Sequence, residues 1–343
     1  MEMSLTPRQM AKRLLNGVPP CRPLFLPIVF SFGARVENVP LGTFLGSPTK
    51  ISSSLRQMRS HLRADGAACY FDPHLEVEAL GATLLSLAED QTPSIHWPQS
   101  TPRGELPKGL RSPEEAVLGG RVPVAVEVIR RMNSAGNRDF LLMAGVTGPL
   151  TLAAQITGLD QTESRRGEYL SLSVLELAAS VLIAVTTAFL EAGADLIVMQ
   201  EEILPAHSAE SYDCWLNLLA PTINVIRFYE ALPVVQLTDA QGVSDHWATI
   251  FQQQWDCVVS LPAAAMTLQH REGSLGTSRT MLGISLPLEA FRAERYVGNA
   301  DLTSRPPVIP ECRHCMVTTA GDIPATADMK LLQSILGEVR RTF

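Results

Sequence analysis

The chain has 343 residues, 46% of them hydrophobic and 18% charged, and a formal net charge of −7. That much apolar material excludes a disordered chain, and an acidic balance with no basic stripe argues against nucleic-acid binding. Cys21, Cys69, Cys214, Cys257, Cys312 and Cys315 are scattered rather than spaced as a disulfide framework, which predicts a reduced, cytoplasmic protein.

Met1 to Lys12 carries no long apolar run, so no secretory leader is expected. A short helix opens the chain within a 1–20 extension. Thr6 can serve as its N-cap, Pro7 suits the first helical position and Gln9 completes a capping box. Short β-rich runs then follow at Leu24–Val29, Gly66–Phe71, Phe140–Val146, Asp195–Met199, Pro233–Thr238, Cys257–Leu261, Met281–Ser285 and Cys315–Thr319. Most are continuously apolar, as strands of a buried parallel sheet are. Helical patterns lie between them at Ser52–Leu62, Glu114–Met132, Arg165–Ala192, Ala209–Glu230, Ser244–Trp255 and Met329–Arg341.

Alternating β and α units predict an α/β fold with a parallel sheet. Eight of them fit a (β/α)8 TIM barrel, one domain over residues 1–343, better than an open sheet. The run Leu170–Leu190 approaches the ~20 apolar residues that span a bilayer. It contains Glu176 and several serines and threonines, with no flanking basic asymmetry, and reads as a buried outer-layer helix, so no membrane association is expected. "Glu191-Ala192-Gly193-Ala194-Asp195" ends a helix at a glycine suited to the left-handed cap and starts a strand at once. "Arg63-Ala64-Asp65-Gly66-Ala67" ends an earlier helix similarly. The polar stretch 91–115 is long for a loop in a compact domain and reads as a lid, a partner loop or a surface excursion.

In a barrel the chemistry sits at the C-terminal strand ends. That rule selects Arg35 after the first strand, Asp72 and His74 after the second, and Gln155 beyond the third. The fourth delivers Gln200, Glu201 and Glu202, the fifth Gln236, Thr238 and Asp239, and the eighth Thr319 and Asp322. An acid held in an apolar pocket has its pKa raised and can donate a proton near neutrality, which makes Asp72, Glu201 and Asp239 the catalytic candidates. Adjacent strand residues point to opposite faces, so one of Glu201 and Glu202 is expected to face the pocket. Cys312-Arg313-His314-Cys315 is a lone CxxC at the end away from the mouth, with no second pair to complete a zinc site. No glycine-rich phosphate loop and no GxSxG elbow is present.

Four segments carry a family resemblance. They are "Asp65-Gly66-Ala67-Ala68-Cys69-Tyr70-Phe71-Asp72", "Gly148-Pro149-Leu150-Thr151-Leu152-Ala153-Ala154-Gln155", "Gly193-Ala194-Asp195-Leu196-Ile197-Val198-Met199-Gln200-Glu201" and "Thr318-Thr319-Ala320-Gly321-Asp322-Ile323-Pro324". Together they resemble the uroporphyrinogen-decarboxylase superfamily, which includes the decarboxylase of haem synthesis and corrinoid-linked methyltransferases. The resemblance implies that Asp72 matches the acid that holds pyrrole N–H groups. The decarboxylase's arginine-rich motif is reduced to Arg35, which argues against a substrate with many carboxylates. The thiol-methylating branch binds zinc through a His-x-Cys and a later cysteine; Gln236, Thr238 and Gly321 stand there instead, so no tightly bound metal is expected.

The reading that follows is a methyltransferase working between methylcobalamin, free or on a corrinoid carrier protein, and a non-thiol partner such as tetrahydrofolate. The alternatives are a carboxy-lyase of the uroporphyrinogen-decarboxylase kind, or one for a smaller acid gripped by Arg35, and a non-catalytic barrel that binds a ligand or corrinoid protein. A homodimer is compatible with all three.

Overall fold

The computed structural model describes residues 5–85, 94–97, 104–134, 139–159, 170–205, 208–245, 250, 255–265, 281–291 and 314–342. Its strands, in chain order, are β1 (Leu24–Leu26), β2 (Gly66–Tyr70), β3 (Thr83–Leu85), β4 (Ser94–His96), β5 (Leu141–Thr147), β6 (Leu196–Glu201), β7 (Leu232–Leu237), β8 (Val258–Pro262), β9 (Met281–Leu286) and β10 (His314–Thr319). Eight of them form one sheet in the order β1-β10-β9-β8-β7-β6-β5-β2, and every pairing is parallel. All eight expected strands are present, seven within two residues of their expected ends; the first stops at Leu26, three residues before the expected Val29. β2, β5, β7 and β8 are buried along their whole length, which explains their uninterrupted apolar sequences.

The sheet curls into a nearly closed barrel whose seam lies between β1 and β2. A side chain bridges it. The Asp65 N–H donates to the Phe25 carbonyl (2.9 Å), and the Phe25 N–H donates back to Asp65 Oδ2 (2.8 Å). Arg22 grips the same carboxylate through two nitrogens, at 2.6 and 2.8 Å. The same device recurs two strands away, between β5 and β6. The Asp195 N–H donates to the Leu142 carbonyl and Asp195 Oδ2 accepts the Leu142 N–H (2.8 Å). Both aspartates follow a helix that ends in the left-handed conformation, at Arg63 (φ 49°) and Gly193 (φ 104°). At the first of these the turn residue is the arginine, not a glycine.

The opening helix, Pro7–Leu15, has the expected capping box between Thr6 and Gln9. It buries Met10 and Leu14 under the N-terminal ends of the strands, and its Arg8 pairs with Asp195 at 3.2 Å. The Leu172–Ala192 helix is long and apolar enough to cross a membrane. Here it packs on the helices Val122–Asn133, Pro149–Thr157 and Ala209–Phe228, burying Val174, Ala178, Leu182, Val185 and Phe189. The expected helix Glu114–Met132 is two helices, Pro113–Ala116 and Val122–Asn133. Gly119 and Gly120 break it: a Cβ on Gly119 would sit 2.3 Å from the Ala79 carbonyl oxygen, and Gly120 has φ +51°. Of the 91–115 insertion, Ser94–His96 pairs with β3 as a small antiparallel ribbon, and Arg111 ties its far end to the Ala79 carbonyl at 2.9 Å. The start of the Arg165–Ala192 pattern and most of Ser244–Trp255 lie outside the described residues.

Candidate active site

Asp72 leaves the end of β2 at the mouth of the barrel, with its side chain 11% exposed. Its Oδ1 accepts the His74 N–H (2.9 Å), and Arg121 Nη1 lies 2.6 Å from its Oδ2. Burial alone would raise its pKa. The hydrogen bond from His74 and the charge of Arg121 outweigh that and hold Asp72 below the ordinary carboxylate value. Asp72 is therefore an ionised acceptor, and the expectation of a proton donor with a raised pKa is corrected. Arg121 also binds Glu78 through Nε at 2.7 Å, so its charge is matched twice. His74 is buried in the N-cap position of the Leu75–Ala79 helix, its Nδ1 3.8 Å from Asp72 Oδ1.

Glu201 is 1% exposed and faces the helical layer, not the lumen. Its carboxylate accepts the N–H groups of Leu150 (2.9 Å) and Thr151 (3.0 Å) and Trp215 Nε1 (3.1 Å). It caps the Pro149–Thr157 helix, and burial pushes its pKa up to about 7 against those donors. Strand alternation sends its neighbour Gln200 into the lumen instead. Glu202 is half-buried and donates its N–H to Thr151 Oγ1 at 2.9 Å.

Two further acids clamp neighbouring βα junctions in the same way. Glu76, fully buried, accepts the Thr147 N–H (3.3 Å) and hydroxyl (2.8 Å). Asp322 accepts the Phe30 and Ser31 N–H groups at 2.7 and 2.8 Å. Burial pushes both up to about 7, and the nearby charge of Asp72 adds to the rise.

A belt of amides and hydroxyls crosses the lumen below the mouth. Gln200, Gln236 and Ser260 are in register on β6, β7 and β8 and so share a face. Gln200 Nε2 donates to Gln236 Oε1 (3.1 Å), and Gln236 Nε2 donates across to the Thr319 carbonyl on β10 (2.6 Å). The Thr319 hydroxyl accepts the Ile28 N–H and donates to the Gly321 carbonyl. Gln155 bridges to the Pro73 carbonyl through Nε2 at 2.9 Å. Thr238 rests its N–H and hydroxyl on the Glu201 carbonyl, and the Asp239 carboxylate lies against Gly242.

Arg35 does not join this group. It is exposed on a short helix and donates Nη1 to the Ala327 carbonyl at 2.7 Å. The cation beside Asp72 is Arg121, hidden in the sequence by the continuous helix expected through it; the Gly119-Gly120 pair and Pro123 were the signal. Cys312 lies outside the described residues. Cys315 is buried, donates Sγ–H to the Leu282 carbonyl, and burial pushes its thiol up to about 12, which makes it inert. At the zinc positions of the thiol-methylating branch, Gln236 is spent on two hydrogen bonds, Thr238 leans on a carbonyl and Gly321 has no side chain. Among the described residues no cluster of histidine, cysteine and acids could hold a metal. These donors do not fit zinc.

An all-parallel barrel with carboxylates, amides and one paired arginine at its C-terminal mouth defines a (β/α)8-barrel enzyme. Residues 6–242 match the family model for uroporphyrinogen decarboxylase (URO-D), and the chain belongs to that family. Among curated proteins it is similar to the methylcobamide:CoM methyltransferase MtaA of Methanosarcina barkeri (strain Fusaro / DSM 804). The identity is 25% over 128 residues, so the match spans 37% of each chain. A methyltransferase from Methanosarcina mazei has the same fold, with a TM-score of 0.72 at 16% identity over 98% of this chain and 100% of that one. A B12-independent methionine synthase from Shewanella sp. W3-18-1 is more distant, with a TM-score of 0.51 at 13% identity over 88% of each chain.

Proposed function

We propose that this chain is a corrinoid-linked methyltransferase that moves a methyl group between methylcobalamin, free or on a carrier protein, and a non-thiol acceptor such as tetrahydrofolate. The relatives named as methyltransferases support the reaction class. The observation that carries the choice of acceptor is the Asp72–Arg121 pair, at a mouth where Gln236, Thr238 and Gly321 replace zinc-binding side chains. A thiol needs a metal or base to become a thiolate, whereas a tetrahydropterin nitrogen carries its own lone pair.

A bound methylcorrinoid would supply the methyl group as an electrophile and would retain the electron pair when that group leaves. Asp72 accepts a hydrogen bond from the acceptor's N–H and stabilises the positive charge that develops as the nitrogen lone pair bonds the methyl carbon. The N–H proton then leaves to solvent. A carrier protein would dock over the mouth, beside the 91–115 insertion.

The carboxy-lyase reading draws less support. It needs a free cation for the substrate carboxylate, but Arg35 is turned to Ala327 and Arg121 is matched by Asp72 and Glu78. The test is an anaerobic visible-spectrum assay with methylcobalamin and tetrahydrofolate, simple thiols, or no acceptor. Loss of the methylcobalamin band with tetrahydrofolate alone is expected. Loss with thiols alone would overturn the choice of acceptor. No loss with any acceptor, repeated with a methylated carrier protein as donor, would favour the lyase and binding-barrel readings.

A further inference from the structure

The lumen belt fixes which end of each amide faces the ligand. The Thr319 carbonyl can only accept, so the Gln236 group 2.6 Å from it must be the amide nitrogen. Gln236 Oε1 then points at Gln200 and can only accept, so the group of Gln200 that meets it is also the nitrogen. The relay ends at Gln200 Oε1, an accessible acceptor on a half-buried residue, with no protein donor assigned to it. Gln155 is oriented independently: the Pro73 carbonyl takes its nitrogen, and its Oε1 is buried without a partner. The hydroxyls of Ser260, in register with Gln236, and Ser285, on the same face of β9 two residues beyond Gly283, are buried and unpartnered as well. Buried polar groups left unpaired are costly, and the Ser260 and Ser285 hydroxyls share the lumen face with Gln200 and Gln236.

We infer that the relay Thr319–Gln236–Gln200 sets the specificity of the mouth for a substrate that presents N–H donors. Gln200 is the residue that meets the ligand, through Oε1, and Gln236 is a positioning residue that acts only by holding Gln200 in that orientation. Asp72 is a second acceptor at the same mouth. The chemical class that fits is a neutral, N–H-rich heterocycle such as the aminopyrimidinone edge of a reduced pterin. This inference rests on reading the mouth as the substrate site of the proposed reaction.

The experiment is anaerobic calorimetric binding of 6-methyltetrahydropterin, the pterin head alone, to the full chain and three variants, each checked for folding by thermal unfolding. Gln236→Leu frees the Gln200 amide to turn and weakens binding about tenfold, the value of one well-made hydrogen bond. Gln200→Glu sets a carboxylate against Gln236 Oε1 and also weakens binding. The double variant Gln200→Glu/Gln236→Leu removes that repulsion and presents oxygen at both ends of residue 200, so orientation no longer matters and binding returns to within about threefold of the parent. A double variant as weak as the product of the two singles would overturn the relay while leaving the pterin reading in place. Absence of binding to the unmodified chain would overturn the pterin reading and, with it, the role assigned to Gln200.

Discussion

Arg121 Nη1 lies 2.6 Å from Asp72 Oδ2, and the two side chains are 18% and 11% exposed. The sequence separates them by a strand ribbon, an insertion and a glycine turn; the fold uses that turn to aim the guanidinium at the end of β2. A charge pair this buried is costly to break from one side, because the survivor stays desolvated. Asp72→Asn keeps an oxygen for the His74 N–H and leaves Arg121 its Glu78 partner, so the fold is expected to survive. Methyl transfer is expected to fall by about 10²–10³, the range for removing one positioned group that stabilises transition-state charge. Arg121→Met is expected to lose about 3–5 kcal/mol of stability. It should also raise the Asp72 pKa, so the acid limb of the activity profile moves to higher pH. Activity of Asp72→Asn within about twofold of the parent would remove Asp72 from the mechanism.

Gly148 and Glu201 are a second dependent pair. A Cβ at Gly148 would lie 2.5 Å from Glu201 Oε2. The glycine has an ordinary extended backbone, φ −63° and ψ 159°, so space, not conformation, demands it. Gly148→Ala is expected to cost about 1–3 kcal/mol through overpacking, because the carboxylate cannot retreat without abandoning Leu150 and Thr151. Adding Glu201→Ala removes the obstacle, so the double variant should lose less than the sum of the singles in urea unfolding. Strict additivity would show that the helix start tolerates the methyl group without touching Glu201.

This pair shows what the sequence could and could not say. Parallel strands buried on both faces leave continuous apolar runs, so all eight were legible from Leu24 to Thr319. The side that each mouth residue faces was not. Gln200 and Glu201 are adjacent and both polar, and only the seat of the Pro149–Thr157 helix decides that the acid turns outward. Arg121 was hidden because apolar periodicity continues across the Gly119-Gly120 turn, and a helical pattern outvoted two glycines. Glu76 and Glu78 sit among apolar neighbours, where an acid is usually solvated; their roles depend on Thr147 and Arg121, which are remote in sequence.

The buried acids predict an unusual pH dependence of stability. Glu76, Glu201 and Asp322 have folded pKa values of about 7, against ordinary values of 4.5, 4.5 and 3.8. The folded chain therefore retains protons that the unfolded chain releases in that interval. Their contribution is fully present below the unfolded values and lost as pH rises through about 7. Asp72 works oppositely: its pKa is lowered, so its contribution is present above the unfolded value and lost as pH falls through the folded one. Together these place the highest Tm well on the acid side of neutrality, with a decline between about pH 4.5 and 7 that flattens above it. Glu76→Gln, neutral throughout, should shallow that decline. Thermal unfolding across the range checks it; a Tm that climbs steadily to pH 8 would contradict the assignment.

The barrel seam offers the last prediction. Asp65 and Asp195 make the same hydrogen bonds to the strand beside them, yet they differ in what else holds those strands together. β5 and β6 are joined along five register pairs, from Met143–Leu196 to Thr147–Gln200, so Asp195 only extends an existing ladder. β1 and β2 are not paired in the sheet, and Asp65 supplies the link, with Arg22 buttressing its carboxylate. Asp65→Ala strands a buried Phe25 N–H and removes the partner of Arg22, whose side chain is 40% exposed, and is expected to cost about 1–3 kcal/mol locally, with the opening of the seam added to it. Asp195→Ala strands the Leu142 N–H and frees an arginine that is already half exposed, and is expected to cost about 1–3 kcal/mol. Amide exchange separates the two further. Asp65→Ala should lose protection at Phe25 and along β1, as the barrel opens at its seam, while Asp195→Ala should change exchange only near Leu142. Equal costs and equally local exchange would mean that the seam is held by packing of Leu24 and Leu26 alone.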